Sequence, residues 1–257
     1  LIALRDVSFS YGGRRALEGV SLGIDKGEHV AVIGPNASGK STLAMMMNAL
    51  LVPDSGDCIV DGVNTRDDAM HARKAVGLVF QDPECQVVAR HVRDDVAFGP
   101  VNLGLPAGEV ERRIIEALAS VDMVSFIDRE VSSLSGGQKQ LLAMAGVLAM
   151  RPSYVVLDEP TSLLDGRGVE AVDRAMAGVK EHGMGIVMIT HDMAEALRAD
   201  RVIVLGGGRI IADAPPRAIF SDGALLESLG FDPPYAFKLM RALGREILTG
   251  EVGFTCR

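Results

Sequence analysis

Apolar and polar positions divide the chain into three stretches with different rhythms. In the first, to about Gln81, His29-Val30-Ala31-Val32-Ile33 is a short unbroken apolar run that reads as a buried strand, and Thr42 to Asn48 reads as a helix. Before it, Ala3, Val7 and Phe9, then Val20, Leu22 and Ile24, suggest antiparallel strands. From Asp82 to about Gly146 the chain reads as mostly helical. There Val110, Ile114, Ile115, Leu118 and Val121 recur at helical spacing over Glu109 to Met123, with Arg112, Arg113 and Glu116 opposite. That stripe is expected to be core rather than a partner groove. Tyr154 to Ala214 returns to strand–helix alternation, which implies a parallel sheet. Beyond Pro215, Ala236, Leu239, Met240, Leu243 and Ile247 predict a helix, packed on its own domain or extending a dimer.

The first buried strand is followed by Gly34-Pro35-Asn36-Ala37-Ser38-Gly39-Lys40-Ser41-Thr42, which fits G-x-x-x-x-G-K-[ST]. Strand, glycine-rich loop and helix are the context this motif requires. Backbone N–H groups and the helix dipole favour bound phosphate. Lys40 is expected to reach the β- and γ-phosphates of a nucleotide, and the Ser41 hydroxyl to ligate Mg²⁺.

Tyr154-Val155-Val156-Leu157-Asp158-Glu159 is an apolar strand ending in two carboxylates. In a parallel sheet, ligands sit beyond the carboxyl ends of the strands. Asp158 is placed to hold Mg²⁺ through its water shell. Glu159, one residue on, is placed where an attacking water could lie.

Leu134-Ser135-Gly136-Gly137-Gln138-Lys139-Gln140 precedes that strand and opens an apolar helix read as Leu141 to Met150. In this order and spacing it resembles the signature of the ABC (ATP-binding cassette) ATPases. The resemblance implies an α/β cassette: a P-loop parallel-sheet core, an antiparallel β subdomain, a helical subdomain at about 82–146 and a C-terminal extension at 215–257. It implies ATP and Mg²⁺ as cofactors, and a head-to-tail dimer in which Ser135, Gly136, Gly137 and Gln138 meet the γ-phosphate held by a second ABC ATPase subunit. Other positions match in turn. Tyr11 resembles the aromatic that stacks on adenine, with a strand-end core tyrosine as the alternative. Gln81 resembles the glutamine that senses γ-phosphate and Mg²⁺. Ser162-Leu163-Leu164-Asp165 resembles the loop that crosses the dimer interface, and His191 resembles the switch histidine. Catalysis is thereby expected from Glu159, His191 and Gln81. Two positions depart from the pattern. Ala37 stands where many relatives have glycine, and the loop is expected to tolerate it unless that residue needs a positive φ. Leu141 stands where an arginine often follows.

Val79 to Gln86, with a second glutamine five residues after the first, and Asp95 to Gly104 resemble the ATPases of energy-coupling-factor (ECF) importers of vitamins and transition-metal ions. This implies a second cassette (homodimer or heterodimer), an integral membrane transport subunit and a solute-binding membrane subunit. Gln86 and the segment Val87 to Asp95 are expected to face the transport subunit. The location implied is peripheral, at the cytoplasmic face of the membrane. The alternatives are the ATPase of another ABC importer, or a soluble ABC ATPase acting on a protein assembly.

Composition narrows the partners. The net charge of −8 over 257 residues argues against general nucleic-acid binding, so no nucleic acid is expected. Hydrophobic residues at 48% suffice for a sizeable core. Three cysteines at unrelated spacings suit a reducing compartment and suggest no metal site. No apolar run approaches the length of a membrane span.

Overall fold

The computed structural model describes residues 1–231 and Phe237; the helix predicted around Ala236 to Ile247 otherwise lies outside the described residues. The chain opens with a hairpin, β1 (Ile2–Tyr11) and β2 (Arg14–Ile24). Its two-residue turn needs positive φ at both positions, met by Gly12 at 52° and Gly13 at 87°. The apolar run follows as β3 (His29–Ile33), then α1 (Lys40–Met47). Strands β4 (Ser55–Val60) and β5 (Val63–Asn64) complete an antiparallel sheet ordered β2-β1-β4-β5.

After α2 (Ala69–Ala75) and β6 (Val76–Val79), the chain forms α3 (Val92–Asn102), α4 (Ala107–Ser120) and α5 (Gly136–Ala149). It then alternates: β7 (Tyr154–Asp158), α6 (Gly166–Glu181), β8 (Gly185–Ile189), α7 (Met193–Ala196), β9 (Arg201–Gly206) and β10 (Arg209–Ala214). The second sheet is ordered β10-β9-β3-β8-β7-β6. All its neighbours pair in parallel except β10, which returns antiparallel on β9. Two short helices, α8 (Pro216–Ser221) and α9 (Gly223–Ser228), close the described region.

This order explains the unbroken apolar runs. Val30 and Val32 face the antiparallel sheet and α1, whereas Ala31 and Ile33 face Ile219, Phe220 and Leu226 of α8 and α9. Likewise Tyr154 and Val156 face the first side, and Val155 and Leu157 the helical side. A strand covered on both faces has no polar position to alternate with. It also brings the carboxyl ends of β3, β7 and β8 side by side, so that three loops far apart in sequence leave one edge together.

Four local expectations need correction. In β1 the inward residues are Ile2, Leu4 and Val7, while Ala3 and Phe9 are only partly buried. The register shifts between Leu4 and Val7, where Asp6 has φ of 51°, and one extra residue reverses which side chains face inward. On α4, Val110, Ile114, Ala117 and Leu118 are buried but Ile115 is 40% exposed. Arg113 does not lie on a solvated face: its Nη1 donates to Ala149 O at 3.2 Å and Met150 O at 3.1 Å, closing the last turn of α5. Helix α5 begins at Gly136, five residues before the Leu141 start expected.

Candidate nucleotide site

The loop between β3 and α1 is shaped by two glycines that nothing larger could replace. A Cβ on Gly34 would lie 2.1 Å from Leu205 O, and one on Gly39, at φ of 103°, would lie 2.5 Å from Ala16 O. Ala37 sits at φ of 61°, so the condition under which alanine is costly is the one that holds. A left-handed alanine costs about 1–2 kcal/mol. Lys40 is the first residue of α1 and is buried; its Nζ donates to Gly34 O at 2.9 Å and Pro35 O at 3.0 Å. Burial pushes its pKa down, and the charges of Glu159 and Asp158 push it back up. The Ser38 hydroxyl is buried with no hydrogen-bond partner. A cavity of about 330 Å³ opens over this loop, lined by Ala37 to Thr42 on one side and by Tyr11, Arg14, Arg15 and Ala16 on the other. Tyr11 is 49% exposed, which excludes the core alternative. Its ring stands edge-on to Phe9, 4.8 Å between centroids.

Asp158 is the last residue of β7 and is buried. Burial pushes its carboxyl above the ordinary range, a hydrogen bond with Ser41 pulls it down, and the nearby charges of Glu159 and Lys40 oppose each other. Glu159 leaves the strand at φ of 48°, with its N–H donating to Ile189 O at 2.9 Å. Its Oε2 accepts from Gln81 Nε2 at 2.8 Å and lies 3.4 Å from His191 Nδ1. Three side chains from the ends of β6, β7 and β8 thus meet at one carboxylate oxygen. A non-glycine residue at positive φ persists only where its surroundings hold it, and such residues cluster at functional sites.

The signature segment lies elsewhere. Ser135 caps α5: its Oγ accepts from Gln138 N at 3.3 Å while Gln138 Oε1 accepts from Ser135 N at 2.9 Å. Asp165 caps α6, accepting from Gly168 N at 2.9 Å. Neither Ser135 to Gln138 nor Asp165 lines the cavity over the phosphate loop. Gly137 does pack on the loop Ser162 to Asp165: a Cβ there would lie 3.1 Å from Leu163 O.

Gln86 is placed differently from the sequence expectation. It turns inward, with Oε1 accepting from Phe80 N at 3.2 Å and Nε2 donating to Leu78 O at 3.1 Å, and so clamps the end of β6. Sequence reasoning also missed two links between this segment and α5. Gln140 Nε2 donates to Phe80 O at 3.1 Å, and Lys139 pairs with Glu84. In the position where an arginine often stands, Leu141 packs on the helical core.

The family model described as ABC transporter matches residues 17–162. The chain belongs to the ABC transporter family. It is an ABC-type ATPase and has the cassette fold. It is 46% identical to the energy-coupling factor transporter ATP-binding protein EcfA1 of Bacillus subtilis, over 95% of this chain and 88% of that protein. It is 42% identical to the cobalt import ATP-binding protein CbiO of Syntrophus aciditrophicus, over 100% of this chain and 95% of that one. Among solved structures, cbiO1 of Clostridium perfringens, part of the ABC transporter complex cbiONQ, superposes with a TM-score of 0.78 at 34% identity, covering 93% of this chain and 98% of that one. A dimeric post-hydrolysis ATP-binding cassette bound to ADP and phosphate superposes with a TM-score of 0.77 at 28% identity, covering 84% of this cassette and 99% of its own chain.

Proposed function

We propose that this cassette binds and hydrolyses ATP as the energy-supplying subunit of an ECF-type importer of a vitamin or transition-metal ion, acting in a dimer of cassettes. One observation carries the reading: Gln81, Glu159 and His191 converge on one oxygen at the carboxyl end of β7, in the sheet whose neighbouring loop holds Lys40. The names of the relatives, an ECF ATP-binding protein and a cobalt import ATP-binding protein, support the importer.

Each residue then has a task. Tyr11 stacks on the adenine. The N–H groups of Asn36 to Thr42 cradle the phosphates, with the unpartnered Ser38 hydroxyl available to them. Lys40 gives up its two carbonyl partners for the β- and γ-phosphates. Mg²⁺ fits the residues present. Among the described residues no group of three or more His, Cys, Asp or Glu is arranged to hold a metal ion by itself, but Mg²⁺ beside phosphates needs only one or two protein ligands. The Ser41 hydroxyl and the buried Asp158 carboxylate form a hard-oxygen pair whose desolvated charge calls for a cation. They would hold Mg²⁺ with Gln81, and the ion would neutralise charge on the phosphates. Glu159 orients and deprotonates the attacking water, and His191 stabilises charge on the γ-phosphate.

The partner cassette supplies Ser135 to Gln138, with Asp165 at the crossing loop. Closure on ATP moves the helical subdomain, because Gln140 and Lys139 tie α5 to Phe80 and Glu84, on either side of Gln81. The transport subunit docks with an apolar helix against the exposed Val88, Phe98 and Val101; the last two lie one turn apart on α3. The proposed location is peripheral, on the cytoplasmic face of the membrane, as befits an ATP-binding subunit like those relatives; no helix among the described residues is long and apolar enough to cross a membrane.

Val88→Asp tests the importer reading. It places a charge on a surface that is 58% exposed in the isolated subunit. The variant is expected to melt and bind ATP normally and to lose co-purification with the polytopic membrane subunit, because an unpaired charge buried at an interface costs several kcal/mol. A variant that still co-purifies overturns the docking surface. Absence of Mg²⁺-dependent ATPase activity in the unmodified chain overturns the enzyme.

A further inference from the structure

Beside Glu159 and His191 lies a second cavity of about 200 Å³, whose lining includes Thr161, Thr190 and Glu195. Glu195 belongs to α7 and is 6% exposed. Its Oε1 accepts from Thr161 Oγ1 and its Oε2 from Thr190 Oγ1, both at 2.6 Å. Thr190 Oγ1 accepts in turn from Asp192 N at 2.9 Å.

The two threonines sit on different loops. Thr161 lies two residues after Glu159, where Ser162 Oγ also donates back to Glu159 O at 3.0 Å. Thr190 is buried, directly precedes His191, and its N–H donates to Val32 O at 3.2 Å, anchoring it to β3. A buried carboxylate is an expensive way to fill space, and an apolar residue on α7 would cover the sheet at lower cost. What an apolar residue could not supply is a bridge between two hydroxyls on separate segments, and Glu195 makes one with its two carboxylate oxygens. The bridged segments carry the two groups that must converge. One of them, Glu159, has a strained backbone that its surroundings must hold.

We propose that Glu195 is a positioning residue: by bridging Thr161 and Thr190 it sets the loop after β7 against the loop after β8, so that Glu159 and His191 address the same γ-phosphate. This rests on the reading of Glu159 as general base. Glu195 touches no reacting atom, so its loss leaves nucleotide binding in place and misaligns the attack. A misplacement of about 1 Å costs about 10²-fold in rate.

The test uses the purified full chain, Mg²⁺-ATP turnover, titration with a fluorescent ATP analogue, and thermal melting. Glu195→Ala is expected to lower kcat roughly 10- to 100-fold, with KM and analogue affinity changed by less than about twofold. Thr161→Val with Thr190→Val removes both hydroxyls while keeping side-chain shape. This double variant is expected to match Glu195→Ala and to add little on top of it, because residues acting through one bridge are not additive. Glu195→Gln keeps the length and one acceptor, and its amide N–H₂ can donate to Thr161 if that hydroxyl turns round. It is expected to recover most of the rate.

An unchanged kcat in Glu195→Ala overturns the proposal, as does a rise in KM at constant kcat. If Glu195→Ala does not fold, the double valine variant decides: normal turnover there overturns it. Glu159→Gln, run in parallel, separates the two claims. If it keeps turnover, the general-base reading fails. If it stops turnover while the Glu195 and threonine variants do not, only the bridge fails.

Discussion

The loop Gly34 to Thr42 and the segment Ser135 to Gln138 both open a helix with glycine close by, yet they are finished in opposite ways. The first is held inside its own domain. Its glycines press on the backbone of Leu205 and Ala16, Lys40 is buried, and the Ser38 hydroxyl is left without a partner. The second stands at the surface, with Ser135 and Gly136 exposed, and completes its own hydrogen bonds through a capping box. One region is a receptacle with a buried hydroxyl left unmet. The other is a finished surface offered outward, and it does not line that receptacle. The difference is what the proposed dimer asks for: a single chain that builds half of each site and leaves the other half to a second cassette.

The largest effect tests the receptacle at its reacting end. Glu159→Gln keeps the size of the side chain and removes the base, so turnover is expected to fall about 10²- to 10⁴-fold. ATP binding persists, because a negative charge beside the γ-phosphate is gone. Size-exclusion chromatography with Mg²⁺ and ATP is expected to show a trapped dimer, and a monomeric, fully active variant would contradict the assignment.

Next in size is Lys40→Ala. A charge-assisted hydrogen bond is worth about 1.5–3 kcal/mol, so nucleotide affinity is expected to weaken about 10- to 100-fold and turnover to vanish. Unchanged affinity in a fluorescent-nucleotide titration would break the receptacle half of the contrast.

Gly136→Glu probes the offered surface. A Cβ there meets nothing within 4 Å, and a carboxylate is favourable in the first turn of a helix, so the fold is expected to hold. The charge opposes the partner's phosphate, so dimerisation and turnover are lost while the monomer binds ATP at normal affinity. Mixing this variant with Lys40→Ala sharpens the point. A mixed dimer contains one site with an intact loop and an intact signature, and turnover is expected to reappear. Mixtures as inactive as their components would argue that the site is not shared between chains.

The smallest effect concerns Ala37. Ala37→Gly relieves a left-handed backbone but adds freedom to the unfolded chain, leaving a net gain of about 0.5–1 kcal/mol. A rise in Tm of about 1–3 °C is expected by calorimetry. A fall in Tm would mean that the alanine methyl is packed well enough to outweigh its φ.

Much of this was legible before the structure. The strands β3 and β7, the order of the three motifs and the placing of Glu159 after a strand end all follow from local pattern, and Gln81 and His191 were matched by the resemblance to the family. Less visible were features set by a neighbour distant in sequence. The bulge at Asp6 reversed the facing of Ala3, and Gln86 turned to the backbone of Leu78 and Phe80 instead of outward. Arg113 found the carbonyl end of α5, and Glu195 found two threonines with no local signal linking them.

By itself the sequence determined the chemistry. Phosphate binding needs N–H groups and a lysine at fixed spacing along one loop, and general-base attack needs a carboxylate at a strand end; both are local demands that a short motif can satisfy. Tertiary structure alone decided the geometry. The parallel order β3-β8-β7-β6 sets the ends of four separate segments side by side, and only there does the 2.8 Å contact between Gln81 and Glu159 arise. Whether Ala37 takes a positive φ, and whether a buried Glu195 bridges or merely fills, depends on which backbones meet. That is decided by sheet order and packing, which no spacing along the chain encodes.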